Sequence, residues 1–161
     1  MSPEEIAASF SAAATTFPPI TGQPSDNNLT ALREVLHPLL LSIPYNDDST
    51  HNLIGLVEPP AAYAATWGNP FPIPPRPPAY PLIPDNASTI VRTQWEAEHA
   101  IRICNYATYE AAKCTAAKFI RDAAKEVWYR DLQHAHSFYT AVSATELLAH
   151  LDTNCGGLHP S

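Results

Sequence analysis

The residue types that most often carry chemistry cluster near the C-terminal end of the chain: His134-x-His136, then His150-x4-Cys155-x3-His159. Imidazole and thiolate are zinc ligands, and a tetrahedral site needs three or four of them on short, regular loops. Here the two halves stand 14 positions apart and only one thiol is present, and the spacing Cys-x2-Cys-x4-His-x4-Cys of a zinc knuckle is not matched. These positions therefore read as surface histidines in a turn and a core cysteine. Asp152-Thr153-Asn154 superficially has the form of an aspartic protease triplet, but the required glycine is missing and the triplet falls at the end of a helical pattern. Cys104 and Cys114 stand nearly three helical turns apart, so in a straight helix they do not meet and read as small core residues. Glu96 and Glu98 face different sides of their helix, and Arg121 with Lys125 forms a solvated basic face. No glycine-rich phosphate loop, Gly-x-Ser-x-Gly elbow or His-Glu-x-x-His pair occurs. No catalytic, cofactor or metal site is expected.

The elements that would position any site divide along the prolines. Ten of the 17 prolines lie in residues 59–84, and none lies between Asp85 and His159. Each proline fixes φ and removes a donor, so Pro70-Phe-Pro-Ile-Pro-Pro-Arg-Pro-Pro-Ala-Tyr-Pro must run extended. This gives four sections: an N-terminal arm at 1–27, a helical section at 28–57, a proline-rich strap at 58–84 and a helical core at 85–161.

Within the arm, Ser2-Pro3-Glu4-Glu5 opens a short alanine-rich helix that is expected to fray or dock weakly. Leu29, Leu32, Val35, Leu36, Leu39 and Leu40 recur at steps of three and four and predict a second helix, with a kink at Pro38. The run 51–57 is short and apolar and is taken as helical, because no partner strand is in sight. Ala61-Ala-Tyr-Ala-Ala-Thr-Trp67 before Gly68 predicts one or two turns.

The C-terminal section reads as helix nearly throughout. Caps at 85–88 open a segment without Gly or Pro, and Ile120, Ala124, Trp128 and Leu132 form an i, i+4 stripe flanked by Ala117 and Val127. Ser143-Ala-Thr-Glu146 is a capping box ahead of Leu147, Leu148 and Leu151. The expected fold is an all-α helical bundle with an extended proline-rich strap and a less ordered N-terminal arm. Its core and assembly candidates are Leu32, Leu36, Ile120, Val127, Trp128, Leu132, Leu147, Leu148 and Leu151.

The strap has two readings. Phe71, Ile73, Tyr80, Leu82 and Ile83 interleave with the prolines and are expected to pack, with Trp67, onto the protein's own helices. Alternatively Phe71, Pro74, Pro75, Pro77, Pro78 and Tyr80 present Pro-x-x-Pro spacings to an aromatic-grooved module, although Arg76 is not placed as the usual orientation signal.

Composition limits the function classes. Nine Lys+Arg against 16 Asp+Glu give a net charge of −7, which disfavours binding to nucleic acid or an anionic membrane. No apolar run approaches the ~20 residues of a membrane span. No basic n-region marks a signal peptide, and three cysteines at irregular spacing fit a reducing, cytoplasmic setting.

Several runs together bring a family into view. Leu29-Thr-Ala-Leu-Arg-Glu-Val-Leu-His-Pro-Leu-Leu-Leu-Ser-Ile-Pro-Tyr, followed by Thr50-His-Asn-Leu-Ile-Gly-Leu, resembles the opening of Gag-like proteins of copia-type LTR retrotransposons. The resemblance continues through the strap at 71–81, Tyr109-Glu-Ala-Ala and Phe119-Ile-Arg-Asp-Ala-Ala-Lys-Glu-Val-Trp-Tyr-Arg-Asp-Leu. It ends in Phe138-Tyr-Thr-Ala-Val-Ser-Ala-Thr-Glu-Leu-Leu-Ala-His-Leu and Cys155-Gly-Gly-Leu-His, so it covers most of residues 28–159. Val127/Trp128, the loop 133–142 and the segment 146–156 look like the broader Gag pattern of helix, variable loop and helix. The resemblance implies a capsid-type, non-enzymatic domain that forms a homo-oligomer and encloses element RNA. It also implies that RNA is held only through segments missing from this chain, such as a second lobe or a basic tail. A helical adaptor presenting the strap is the alternative, and an enzyme ranks behind both.

The charge arithmetic predicts that this chain binds RNA weakly or not at all near physiological salt. Residues 85–161 hold seven bases but nine acids, which leaves little counterion release. Fluorescence anisotropy against single-stranded RNA across a salt series checks this, and tight binding with a steep salt slope would contradict it.

Overall fold

The computed structural model describes residues 1–45, 52–79 and 83–154. Among them the chain is all-α. Helices α1 (Pro3–Thr16), α2 (Asp26–Leu41), α3 (Pro60–Trp67), α4 (Thr89–Ala123) and α5 (Ala144–Asn154) are joined by 3-10 turns at Leu53–Leu56, Glu126–Trp128 and Arg130–Leu132. The starts follow local chemistry. Ser2, Ser25 and Ser88 accept from the amides of Glu5, Asn28 and Val91, and the Asn28 Oδ1 accepts from the Ser25 amide in return. Ser143 Oγ likewise accepts from the Glu146 amide ahead of α5, at 3.1 Å. Gly68 ends α3 with φ +79°, a conformation that a Cβ disfavours.

The core is built on the C-terminal half of α4, with α1 and α5 as its main neighbours. Thr108, Tyr109, Ala112, Ala116, Ala117, Phe119 and Ile120 are its buried positions there, and the alanines let neighbouring helices approach closely. α1 lies along it: Ile6 and Phe10 are buried, and the Phe10 and Phe17 rings meet Phe119 edge-on at 6.2 and 5.8 Å. The Ile20 amide then donates to the Ala123 carbonyl at 2.9 Å, satisfying an acceptor at the end of α4. The expectation of a weakly docked arm is corrected. An alanine-rich helix is marginal alone, but two phenylalanines reaching one ring give it tertiary support.

Leu29, Leu32, Leu36 and Leu40 of α2 and Leu147, Leu148 and Leu151 of α5 complete the core. Arg33 of α2 pairs with Asp152 of α5, which gives the aspartate of the protease-like triplet a plain structural partner. The Thr145 hydroxyl donates to the Leu56 carbonyl at 2.7 Å, fastening α5 to the 3-10 turn.

The stripe expected to run from Ile120 to Leu132 is broken. α4 stops at Ala123, Ala124 is extended at φ −113° and ψ 153°, and two 3-10 turns follow. The Tyr129 hydroxyl donates to the Arg121 carbonyl at 3.1 Å, which folds the chain back over the helix end. Burial, then the nearby Glu126 carboxylate, pushes the Tyr129 phenol up. In this geometry Val127 is 58% exposed, while Trp128 and Leu132 are half-buried. Val127 is therefore not a core residue. Cys104 and Cys114 are also corrected, since both are free and exposed on α4.

Replacing Phe119 by alanine should cost about 3–5 kcal/mol, because two aromatic neighbours lose their support at once. Val127→Ala should stay within ~0.5 kcal/mol. Urea unfolding of both variants checks the pair, and equal costs would contradict the placement of the core.

Candidate interaction surface

Among the described residues no three His, Cys, Asp or Glu side chains converge on a possible metal position. His134 and His136 are exposed in a turn closed by the His134–Phe138 backbone pair, and His150 is half-buried on α5. Cys155 and His159 lie outside the described residues. The surfaces with something to offer a ligand are the strap and the free half of α4.

The strap is pinned at one residue. Phe71 stands edge-on to Tyr63 of α3 at 5.3 Å and lies against Tyr109 of α4 at 6.3 Å. It also sits on Gly55, where an added Cβ would fall 2.2 Å from the Phe71 ring. Gly55 is thus a close-approach glycine, required by the ring above it. Burial pushes the Tyr45 and Tyr109 phenols up; Tyr109 and Tyr63 add to the rise at Tyr45, Glu110 and Tyr106 at Tyr109.

Beyond Phe71 the strap leaves the core. Pro74 and Pro77 are half-buried, Pro75 and Pro78 are exposed, and Ile73 is 74% exposed. The expected packing of Ile73 is corrected: a polyproline II segment repeats every three residues, so Phe71, Pro74 and Pro77 share the inward side and Ile73 falls off it. Tyr80 and Leu82 fall outside the described residues. The prolines run beside Arg102 and Asn105 of α4, and with Tyr45 they border an open groove of about 620 Å³.

The free half of α4 is the second surface. Thirty-five residues make a helix about 52 Å long, whereas a globule of this chain length, with a radius of gyration of ~15 Å, is only ~39 Å across. The excess projects at the N-terminal end. From residue 89 to residue 107 only His99 is buried, while Ile90 at 73%, Ile101 at 59%, Ile103 and Trp95 are exposed. Ile90 and Ile101 fall on one side of the helix, whereas Trp95 and Ile103, less exposed, fall on the other.

The structure brings Leu32, Leu36, Ile120, Leu147, Leu148 and Leu151 into one core, with Trp128 and Leu132 at its edge and Val127 outside it. Sequence reasoning did not single out Ile90, Trp95, Ile101 or Ile103. Their signal was the uninterrupted pattern after Ser88, which is too long for the rest of the chain to cover. Compared with known families, curated proteins and solved structures, the chain matches none.

Gly55→Ala should destabilise the protein by about 1–3 kcal/mol by driving Phe71 off its seat. In a Phe71→Ala background the same change should cost less than half as much, because the obstructing ring is gone. A double-mutant cycle in urea measures this, and equal costs in both backgrounds would show that Phe71 does not sit on Gly55.

Proposed function

We propose that this chain is a Gag-like structural protein of the copia-type LTR retrotransposon class, whose work is self-association into an assembly that encloses element RNA. The role is non-catalytic and cytoplasmic, with a homo-oligomer as the working form. RNA would be contacted through segments outside this chain, in keeping with a net charge of −7. The observation that carries this reading is the solvated half of α4 with Ile90 and Ile101 exposed on one side of it. An apolar arm on an otherwise acidic helical body is a feature that a second copy can cover, and it supports an assembly role better than a catalytic one. The order and spacing of the resembling runs support the family. No helix among the described residues is long and apolar enough to cross a membrane.

The adaptor reading has one observation of its own. Ile73 and the outer prolines of the strap stand in solvent, as a segment offered to an aromatic groove would.

Sedimentation velocity from micromolar to millimolar protein separates the two. Self-association predicts a weight-average sedimentation coefficient that rises with concentration. A chain that stays monomeric throughout, yet binds an aromatic-grooved module and loses that binding on Pro75→Ala/Pro78→Ala substitution, would establish the adaptor instead.

A further inference from the structure

The stripe of α4 that meets the core from Thr108 onward continues toward the N-terminus as Cys104, Ile101, Ala97, Gln94 and Ile90. From Ile90 the steps are four, three, four and three residues, and a fourth-residue step then reaches Thr108. That alternation keeps the positions on one side of a helix and is the spacing on which two helices interlock. All five positions from 90 to 104 are exposed. The two flanks of the stripe differ. One carries Thr93, Ala100 and Ala107, all exposed and small. The other carries Glu98 and Arg102, an exposed i, i+4 pair at 3.6 Å.

We propose that this face closes against the same face of a second copy, with the two α4 helices antiparallel. The inference rests on the self-association reading and names its surface and geometry. Orientation follows from the flanks. In a parallel pair the Glu98/Arg102 flank of one copy would face the alanine flank of the other, so neither charge would gain a partner beyond the pair made within its own helix. In an antiparallel pair like flanks meet. With the crossing near His99, Glu98 of each copy lies beside Arg102 of the other. On the opposite side Thr93, Ala100 and Ala107 let the backbones approach closely.

Charge favours this site over the rest of the surface. Residues 89–107 hold two bases (Arg92, Arg102) and two acids (Glu96, Glu98), so copies meet here without the repulsion that a net −7 imposes elsewhere. Size sets the strength. The stripe is about 21 Å long on a helix ~10 Å across, a footprint of roughly 200 Å² per copy. A stable standard interface needs ~800 Å² per partner. The contact is therefore weak and reversible, suited to repetition among many copies rather than to a permanent dimer.

Two measurements on the full chain test this. By sedimentation equilibrium, Ile90→Glu/Ile101→Glu should raise the dissociation constant at least tenfold with unchanged helical circular dichroism, since both side chains stand in solvent in the monomer. In a Cys114→Ser/Cys155→Ser background, Gln94→Cys should form an intermolecular disulfide with Cys104 on mild oxidation. Cys104 alone should not cross-link. Residues 94 and 104 are ~15 Å apart along one helix, so the bond cannot form within a chain. Cross-linking through Cys104 to Cys104 would overturn the antiparallel geometry. Association undiminished by the two glutamates would overturn this surface and leave self-association standing. A monomer at every concentration would overturn both.

Discussion

A helix of 35 residues is longer than this chain can bury, and the rest of the structure is arranged around that mismatch. The other elements concentrate on one half, from Thr108 to Ala123. Phe119 is the centre of that half: Phe10 comes to it from α1 and Phe17 from just past the end of α1, and the Ile20 amide closes the last carbonyl of the helix. Tyr129 folds the following turns back onto the same end. What remains is an arm whose backbone is satisfied by its own helix but whose Ile90 and Ile101 side chains stand in solvent.

The proline strap belongs to the same economy of contacts. A segment already held extended by its prolines loses little entropy on docking, so a single anchoring ring can hold it. That ring is Phe71, seated on Gly55 between Tyr63 and Tyr109. Past the anchor the strap borders α4 at Arg102 and Asn105 without covering the stripe from Ile90 to Cys104. Anchor and arm are thus neighbours on one helix, with one side of α4 taken up by the chain itself and another left to solvent.

Much of the fold was legible because it is local. Ser88 and Ser143 start helices, Gly68 ends one, and the leucines of α2 fall on the face that is buried. The errors share a cause: each depended on partners distant in sequence. The weakness of an isolated alanine-rich helix says nothing of Phe119, more than a hundred residues away. The i, i+4 stripe through Trp128 continued on paper because no Gly or Pro interrupts it, whereas the chain turns at Ala124 to reach the Tyr129–Arg121 hydrogen bond. Cys104 and Cys114 were assigned to the core by residue type, and the face each occupies on α4 decided otherwise. The candidate surface was the least legible part. Apolar spacing on a helix looks the same whether the partner is the chain's own core or another molecule, and only packing of the remainder shows which half goes uncovered.

The central claim is that α4 is one helix with an anchored half and a half that waits for another copy. Hydrogen exchange measured at low and high protein concentration tests it most directly, because backbone amides report cover position by position. The account predicts strong protection at 108–123 at every concentration, and protection at 90–105 that is weak in dilute protein and rises as the protein is concentrated. Equal protection of both halves, unchanged with concentration, would contradict it.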